Sequence, residues 1–380
     1  MIGPLLLVLL AFGAAVTFAM VINGWRETVA HELLAVVDVK GNSGRTPTVT
    51  MIVPARDAAD TITPLLQDLY AQDHERERVS VIVVDDASSD GTAERVRAMM
   101  PRWPGLRLLG NDGTGKKAAI TTAVLATDAE WILMTDADAR CGPERLRRVM
   151  EHVERTGSDL VVLPVATDGA GILGRLQENE QAALMMCAAA EALQSRPMLA
   201  NGANLAFRRS AFMDVRGFEG DRYASGDDIF LVQRVLRAGK RISYLLHPGA
   251  IVRVGAERTW SGFFRQRMRW AGKMRGVPWR AKWMPALGLL FPWFLLAVTL
   301  ATDWPALVGS RFLMGALLMA GAWLIWAVAV PPLVQEGKRI LGQRHSTFGA
   351  LLSYLAFMLY APVVAVSSLF VRPAWKGRRL

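Results

Sequence analysis

The stretch WILMTDADAR, residues 131–140, runs from an apolar segment directly into two aspartates, Asp136 and Asp138. Carboxylates this close repel each other unless a cation lies between them. On an extended segment residues i and i+2 point the same way, so both can approach one Mg²⁺ or Mn²⁺, cations that prefer oxygen ligands. The alternative is a solvated turn before a helix near Pro143. The position at the end of an apolar strand favours the metal site.

Three similar apolar runs precede this stretch and predict strands: 49–57, 79–86 and 106–109. Segments with helical spacing lie between them, at 61–72, 88–100 and 116–127. Continuous apolar runs are typical of parallel strands that are buried on both faces. Strands that alternate with helices predict a Rossmann-like α/β domain with a mostly parallel sheet. Ligands of such sheets bind beyond the carboxyl ends of the strands.

Apolar residues are concentrated at the two ends of the chain. Of its 380 residues, 52% are hydrophobic, and the mean hydropathy of +0.23 is high for a soluble enzyme. Residues 4–23 carry no charge, are about long enough to cross a bilayer, and lack the basic start and cleavage site of a signal peptide. Three more apolar segments follow the soluble part, at 287–301, 312–334 and 348–371. The sequence predicts transmembrane helices on both sides of a soluble domain.

A basic and aromatic segment leads into the first of these C-terminal segments. The net charge of the chain is +10, and between Glu257 and Trp283 many cations and tryptophans alternate. They are Arg258, Arg265, Arg267, Arg269, Lys273, Arg275, Arg280 and Lys282, with Trp260, Trp270 and Trp279. Because tryptophan favours the membrane interface and an apolar segment follows at once, an anionic membrane surface is a better partner here than nucleic acid.

Charged side chains also stand at the ends of other predicted elements. Asp85 and Asp86 end the second strand, where a carboxylate can accept a hydrogen bond from a nucleobase or ribose hydroxyl; simple turn formation is the alternative. DGTGKK, residues 112–117, places glycines and Lys116 before a helix. Backbone N–H groups and an ammonium group at a helix start favour phosphate, although an ordinary turn with solvated lysines fits the spacing equally well.

Two adjacent acids, Asp227 and Asp228, begin another predicted helix. The helix dipole stabilises an aspartate there, so one acid can cap the helix while the other points into a cleft as a base. Upstream, NGAN contains Asn201, Gly202 and Asn204, which are candidate groups for binding a sugar or an acceptor.

The helical segment FFRQRMRW, residues 263–270, spaces Gln266, Arg269 and Trp270 at i, i+3 and i+4, on one face. A planar guanidinium suits a diphosphate, and a tryptophan face can flank a sugar or an acceptor. A basic helix at the membrane interface is the alternative interpretation.

Taken in order, these segments resemble the membrane-bound family 2 inverting glycosyltransferases of the GT-A fold. The resemblance covers roughly residues 48–272 and is carried by VDDASSDGT (84–92), DAD (136–138), GDD (226–228) and QRMRW (266–270). The last of these matches the signature Gln-x-x-Arg-Trp. With one apolar segment before the domain and about three after it, the layout looks more like ceramide- and hopanoid-glycosylating members than like polysaccharide synthases.

On the donor side, the resemblance implies that Asp138 and Asp136 hold a divalent cation, Mg²⁺ or Mn²⁺, on the diphosphate of a nucleotide-sugar. Asp86, with Asp85, would face the nucleobase and the ribose, and Lys116 would lie near the nucleotide. A UDP- or GDP-sugar is implied as the donor, with UDP favoured.

On the acceptor side, Asp228 matches the catalytic base of the family, which a second acid, here Asp227, usually precedes. Gln266, Arg269 and Trp270 would close over the diphosphate and the acceptor end. The implied reaction is one in-line displacement with inversion, in which Asp228 takes the proton of an acceptor hydroxyl.

The resemblance leaves three acceptors open. A membrane lipid is the first hypothesis, and repeated transfer by a polysaccharide synthase is the second. A polyprenyl-phosphate sugar synthase is the third; its nucleophile is a phosphate, which needs no base and would make Asp228 superfluous.

The predicted boundaries are an anchor at 1–24, the GT-A domain at 45–275, an interfacial segment at 276–286, a membrane region at 287–371 and a basic tail at 372–380. Nucleotide-sugars are cytosolic, so the domain is predicted to lie on the cytosolic side of the cytoplasmic membrane. Cys141 and Cys187, far apart and without metal-ligand spacing, are predicted to be reduced there.

One membrane span before the domain and three after it would place both termini outside. The basic loop 335–346 would then lie inside, as the positive-inside tendency requires, but the basic tail would lie outside. Pro362 interrupts the last apolar segment, so a re-entrant hairpin that returns the tail to the cytosol is the alternative.

Overall fold

The computed structural model describes residues 3–35, 47–221, 226–277, 279, 282–370, 374–375 and 378–379. Four strands lie where the sequence predicts them: β1 Val49–Ala55, β2 Val79–Asp85, β3 Leu106–Gly110 and β4 Trp131–Met134. They run parallel in the order β3-β2-β1-β4. The prediction of a mostly parallel α/β sheet is therefore confirmed, and the carboxyl ends of β2 and β4 share one edge of the sheet.

Helices between these strands cover both faces of the sheet: α2 Ala59–Tyr70, α3 Thr92–Met99 and α4 Lys116–Leu125. In β1, Met51 and Val53 belong to a hydrophobic cluster that includes Leu65 of α2. Ile52 belongs to a second cluster that includes Ile120 of α4. Successive residues of a strand point to opposite faces, so an uninterrupted apolar run fills both clusters.

Past β4 the main sheet continues with β8 Leu205–Arg208, β6 Leu160–Val162 and β9 Ile242–Tyr244. β8 runs antiparallel to both of its neighbours, and β9 runs parallel to β6. A smaller sheet has the order β5 Ala139–Cys141, β10 Val252–Gly255 and β7 Val165–Asp168. These strands, of three or four residues, are too short for the hydrophobic pattern to predict.

The remaining helices of the domain are α5 Arg145–Thr156, α6 Gly171–Leu193, α7 Arg209–Asp214, α8 Asp227–Arg237 and α9 Trp260–Lys273. α8 carries the two adjacent acids at its start, and α9 carries the Gln-x-x-Arg-Trp signature. Both helices therefore bring sequence-predicted site residues to the same part of the domain as the strand ends.

Four apolar helices make up the predicted membrane part: α1 Pro4–Ala35, α10 Trp283–Ala301, α11 Ser310–Ile340 and α12 Thr347–Phe370. Three of these, α1, α11 and α12, contain stretches long and apolar enough to cross a membrane, whereas the apolar part of α10 is shorter. α1 extends beyond the predicted anchor. α12 continues through Pro362 as one helix, which differs from the alternative of a re-entrant hairpin. In the tail, β11 Ala374–Trp375 pairs with β12 Arg378–Arg379.

The domain and the membrane helices share a core, with α6 between them. One cluster of buried side chains includes Ile52 of β1, Met186 of α6, Phe18 of α1 and Leu333 of α11. α6 and α11 approach so closely that a Cβ on Gly337 would lie 2.8 Å from a backbone oxygen of α6. The α/β domain is thus packed directly against the predicted membrane part.

Candidate active site

The candidate site lies at the carboxyl end of β4, where the first turns of α4 and α8 meet. Lys116 begins α4, and its Nζ lies 2.7 Å from Oδ1 of Asp136 and 2.8 Å from Oδ2 of Asp227. Gly115 precedes it at φ +85°, in the region that favours glycine, and this turn aims the first residue of α4 at the strand end. One ammonium group therefore joins the DAD segment to the acids of α8.

Electrostatics keep this cluster charged. Burial alone would lower the pKa of Lys116, but the carboxylates of Asp136 and Asp227 outweigh it and raise the pKa well above the usual value. Burial would raise the pKa of Asp227, but Lys116, with a smaller contribution from Lys273, lowers it. The buried ion pair is thus held in its ionised form on the donor side of the cleft.

Gly202, one of the predicted binding residues, closes the cluster from a neighbouring loop. A Cβ there would lie 2.4 Å from Oδ2 of Asp227 and 2.7 Å from Nζ of Lys116. Only glycine leaves room for the ion pair at that point. Asn201 is half-buried beside it, and its Oδ1 accepts a hydrogen bond from the backbone N–H of Ala203.

Asn204 lies away from the cleft. Its side chain is fully buried; Nδ2 donates to the backbone oxygens of Pro164 and Ala250, and Oδ1 accepts from Arg145. All of its hydrogen-bonding capacity is used inside the core, so the structure does not bring it together with the other predicted sugar- or acceptor-binding residues.

Arg145 is a residue that the sequence reasoning missed. It is fully buried in α5, and its guanidinium donates to Oδ1 of Asn204, to Oγ1 of Thr135 and to the backbone oxygen of Met134. Burial lowers its pKa. Because Met134 and Thr135 immediately precede Asp136, this arginine fixes the strand end that presents the DAD segment.

Arg145→Met is expected to lower the free energy of unfolding by about 2–3 kcal/mol, because buried oxygens of Asn204 and Met134 would lose their donor. Thermal unfolding in detergent, followed by circular dichroism, measures the loss. Arg147→Met on the same helix is the control: its ion pairs with Asp73 and Glu151 are partly exposed, and it should cost less than about 1 kcal/mol. Equal losses would contradict the role given to the buried guanidinium.

Asp136 and Asp138 are held on a turn rather than on an extended segment. β4 ends at Met134, and the backbone N–H of Ala139 donates to the backbone oxygen of Asp136. Among the described residues, no group of three or more His, Cys, Asp or Glu side chains could hold a metal ion. Asp136 is paired with Lys116 and Asp138 is exposed, so a divalent cation held here would take these two carboxylates and complete its shell from a diphosphate and water.

The two acids that end β2 behave differently from each other. Asp86 is buried, and its Oδ1 accepts hydrogen bonds from Nδ2 of Asn111 and the backbone N–H of Gly115. Asp85 accepts a hydrogen bond from the backbone N–H of Ser88, and its other oxygen has no hydrogen-bond partner in the described part of the chain. Asp85 lines a cavity of about 310 Å³ with Arg97. Asp85 therefore keeps one buried oxygen without a hydrogen-bond partner among the described residues, and Asp86 supports the loop that leads into α4.

Asp228 is paired with the end of α9. Both of its carboxylate oxygens lie 3.2 Å from Nζ of Lys273, and Oδ1 also accepts a hydrogen bond from the backbone N–H of Ile229. Two adjacent acids thus form ion pairs with two different lysines, Asp227 with Lys116 of α4 and Asp228 with Lys273 of α9. The sequence showed both acids, but nothing in it paired them with these lysines.

The signature residues on α9, Gln266, Arg269 and Trp270, differ in how far their side chains are already in contact with other groups. Gln266 donates to Glu257 and accepts from Arg267, whose guanidinium forms a buried ion pair with Glu180 of α6 at 2.7 Å. That guanidinium also lies 4.3 Å from the ring centroid of Trp270, so one face of the tryptophan is occupied. Arg269 is half-buried.

Comparison with known proteins gives a family match for part of the chain. Residues 50–216 match the family model described as Glycosyl transferase family 2. The chain is 29% identical over 228 residues to the succinoglycan biosynthesis protein ExoO of Rhizobium meliloti, covering 55% of this chain and 64% of the relative. It is 25% identical over 227 residues to poly-beta-1,6-N-acetyl-D-glucosamine synthase of Staphylococcus aureus, covering 59% of this chain and 53% of the relative. The chain thus spans less than two thirds of the length of each.

Among solved structures, the mannosyltransferase PcManGT of Pyrobaculum calidifontis, in complex with GDP-Man and Mn²⁺, has a TM-score of 0.57 to this chain at 23% identity. The likeness covers 94% of this chain and 98% of the other. It confirms the predicted GT-A fold.

Proposed function

We propose that this chain, which contains a glycosyl transferase family 2 domain of the GT-A fold, transfers a sugar from a nucleotide-sugar to a hydroxyl group of a membrane lipid, with inversion. The observation that carries the proposal is the division of the two adjacent acids. Asp227 is paired with the lysine that also holds the DAD segment, and Asp228 is paired with the last residue of α9. One acid therefore serves the donor, and the other is placed to serve the acceptor.

On the donor side, the residues bind and orient a nucleoside diphosphate sugar. Asp85 faces an open cavity and is placed to accept a hydrogen bond from the nucleobase or ribose. Asp136 and Asp138 are placed to hold a divalent cation, which when bound supplies positive charge to the diphosphate. Lys116 and Arg269 add positive charge near the leaving group. Fixed charges of this kind stabilise the negative charge that develops as the bond to the diphosphate breaks.

On the acceptor side, Asp228 accepts the proton of the attacking hydroxyl. The oxygen then forms a bond to the anomeric carbon as the bond from that carbon to the diphosphate oxygen breaks. A single displacement of this kind inverts the anomeric centre. The α8 dipole stabilises a carboxylate at this helix start, which suits a group that must be ionised before it accepts a proton.

Contacts of the α11–α12 connection support a cytosolic position for the domain. Nε2 of Gln343 donates to Oδ1 of Asp168, and Nη2 of Arg253 donates to the backbone oxygen of Leu341. The connection with its basic residues therefore lies on the same side as the domain, as the positive-inside tendency favours. Exposed apolar side chains on these helices, such as Leu317 and Phe348, suit contact with lipid.

A lipid acceptor fits the position of the site next to the membrane part. Trp260 and Trp279, on α9 and the segment after it, are 51% and 74% exposed, and tryptophan favours the membrane interface. α10 to α12 and α1 are few helices to form a channel for a growing polymer. The second candidate is a polysaccharide synthase, which the name of the Staphylococcus aureus relative favours.

The product distinguishes the two candidates. Purified protein in lipid vesicles would be incubated with Mn²⁺ and radiolabelled UDP- or GDP-sugars, and the label would be divided between organic-extractable and polymeric material. We expect a discrete, organic-extractable product that carries one sugar. Label in a water-soluble polymer of increasing length would instead support the synthase, and no transfer with any donor would contradict both.

A further inference from the structure

The partner of Asp228 comes from the membrane side of the site. Lys273 is the last residue of α9, and its ammonium group lies at the same distance, 3.2 Å, from both oxygens of Asp228. Both side chains are largely buried, with 17% and 9% of their surface exposed. The ammonium group fixes the direction in which the carboxylate points, and the hydrogen bond from the backbone N–H of Ile229 to Oδ1 fixes its rotation.

α9 itself is held firmly. Its Arg267 is paired with Glu180 of α6, and its Phe263 ring contacts the ring of Tyr360 on α12 edge-on, with centroids 5.2 Å apart. Lys273 therefore extends from a helix that is packed against both the domain and the membrane part. The position of Lys273 is set by α9 and not by α8, so the pair is more than a cap of α8.

We infer that Lys273 is a positioning residue for the reaction: it orients the carboxylate of Asp228 toward the acceptor hydroxyl. The inference rests on the proposed function, because it needs Asp228 to be the base. Without Lys273, a buried carboxylate keeps only one backbone hydrogen bond and loses the charged group that holds its direction. Misplacing a catalytic group by about 1 Å costs on the order of 10² in rate.

The test compares three variants of the full-length protein in lipid vesicles: Lys273→Met, Lys273→Arg and Arg237→Met. Lys273→Met is expected to lower kcat about 10²-fold with nucleotide affinity close to wild type; its melting temperature should fall, because a buried carboxylate loses its charged partner. Lys273→Arg should retain most of the activity, because a guanidinium can also contact both carboxylate oxygens. Arg237→Met removes one positive charge from an exposed position at the far end of α8 and should leave kcat unchanged.

Chemical restoration gives a second measurement. Lys273→Cys, treated with 2-bromoethylamine, regains an ammonium group at nearly the original distance. Recovery of kcat by this treatment would show that the charge acts, rather than the packing of the lysine chain. Wild-type protein treated in the same way controls for reaction at Cys141 and Cys187, which are both free.

Wild-type kcat for Lys273→Met would overturn the inference, and so would a loss that treatment of Lys273→Cys fails to restore. Parallel losses of kcat and nucleotide affinity would also overturn it, since they would show a structural role. Asp228→Asn distinguishes a failure of the proposed function from a failure of the inference about Lys273. If that variant is fully active, the proposed base is wrong; if it is inactive while Lys273→Met is fully active, only the role of Lys273 is wrong.

Discussion

Asp228→Asn is expected to slow sugar transfer by on the order of 10²–10⁴, the usual loss when general-base catalysis is removed. Asparagine keeps the size of the side chain and can still accept a hydrogen bond from the backbone N–H of Ile229. Nucleotide affinity should change little, because the donor groups around Lys116 are untouched. Transfer of radiolabelled sugar and nucleotide binding by calorimetry would be measured on the same preparation.

Asp227→Asn is the matched control, since it changes the neighbouring acid in the same way. Asp227 is paired with Lys116, which also holds Asp136, so its loss should weaken nucleotide binding more than it slows transfer at saturating donor. An inactive Asp227→Asn beside an active Asp228→Asn would reverse the roles of the two acids. Wild-type transfer by Asp228→Asn would favour a phosphate acceptor, which needs no deprotonation.

Asp138→Ala is expected to abolish the part of nucleotide binding that depends on Mn²⁺. The variant leaves one acid of the DAD segment, Asp136, which Lys116 already holds at 2.7 Å. A hard divalent cation needs several oxygen ligands, and one shared carboxylate is a poor site for it. The measurement is the rise in melting temperature caused by nucleotide, with and without Mn²⁺.

Asp128→Ala serves as the control for that experiment. Asp128 lies just before β4, at the end opposite to Asp138, and its side chain is fully exposed. It should keep the full response to Mn²⁺. A normal Mn²⁺-dependent shift in Asp138→Ala would remove that residue from the metal site, whatever the effect on activity.

The parts of the fold that the sequence predicts are those with long, uninterrupted patterns. β2 is seven residues long, and its Val81 to Val84 are all buried, so a parallel strand covered on both faces follows from composition alone. β5 has three residues and β8 has four, and both depend on partners distant in sequence. Whether these short strands form depends on their pairing with distant strands, and the hydrophobic periodicity of the sequence contains no information about that pairing.

The residues of the site show the same difference between local sequence patterns and contacts between distant segments. Asp136, Asp138 and Asp228 stand at the ends of predictable elements, so the sequence shows them directly. Lys273 is 45 residues from Asp228, and Arg145 is 59 residues from Asn204. Such pairs form only once the sheet and α9 are packed. The sequence of a basic segment does not show which acidic side chain each of its basic residues will contact.

The hydrophobic cluster that continues from β1 through α6 into α1 and α11 gives the domain and these helices one shared core. Apolar surface returned to water costs about 25 cal/mol per Å², so separating the domain from α1 and α11 would expose this core at a large cost in free energy. We therefore expect the domain and these helices to unfold in one thermal transition. A substitution that loosens α1 or α11 from α6 should then also lower the melting temperature of the sheet that leads to Asp136.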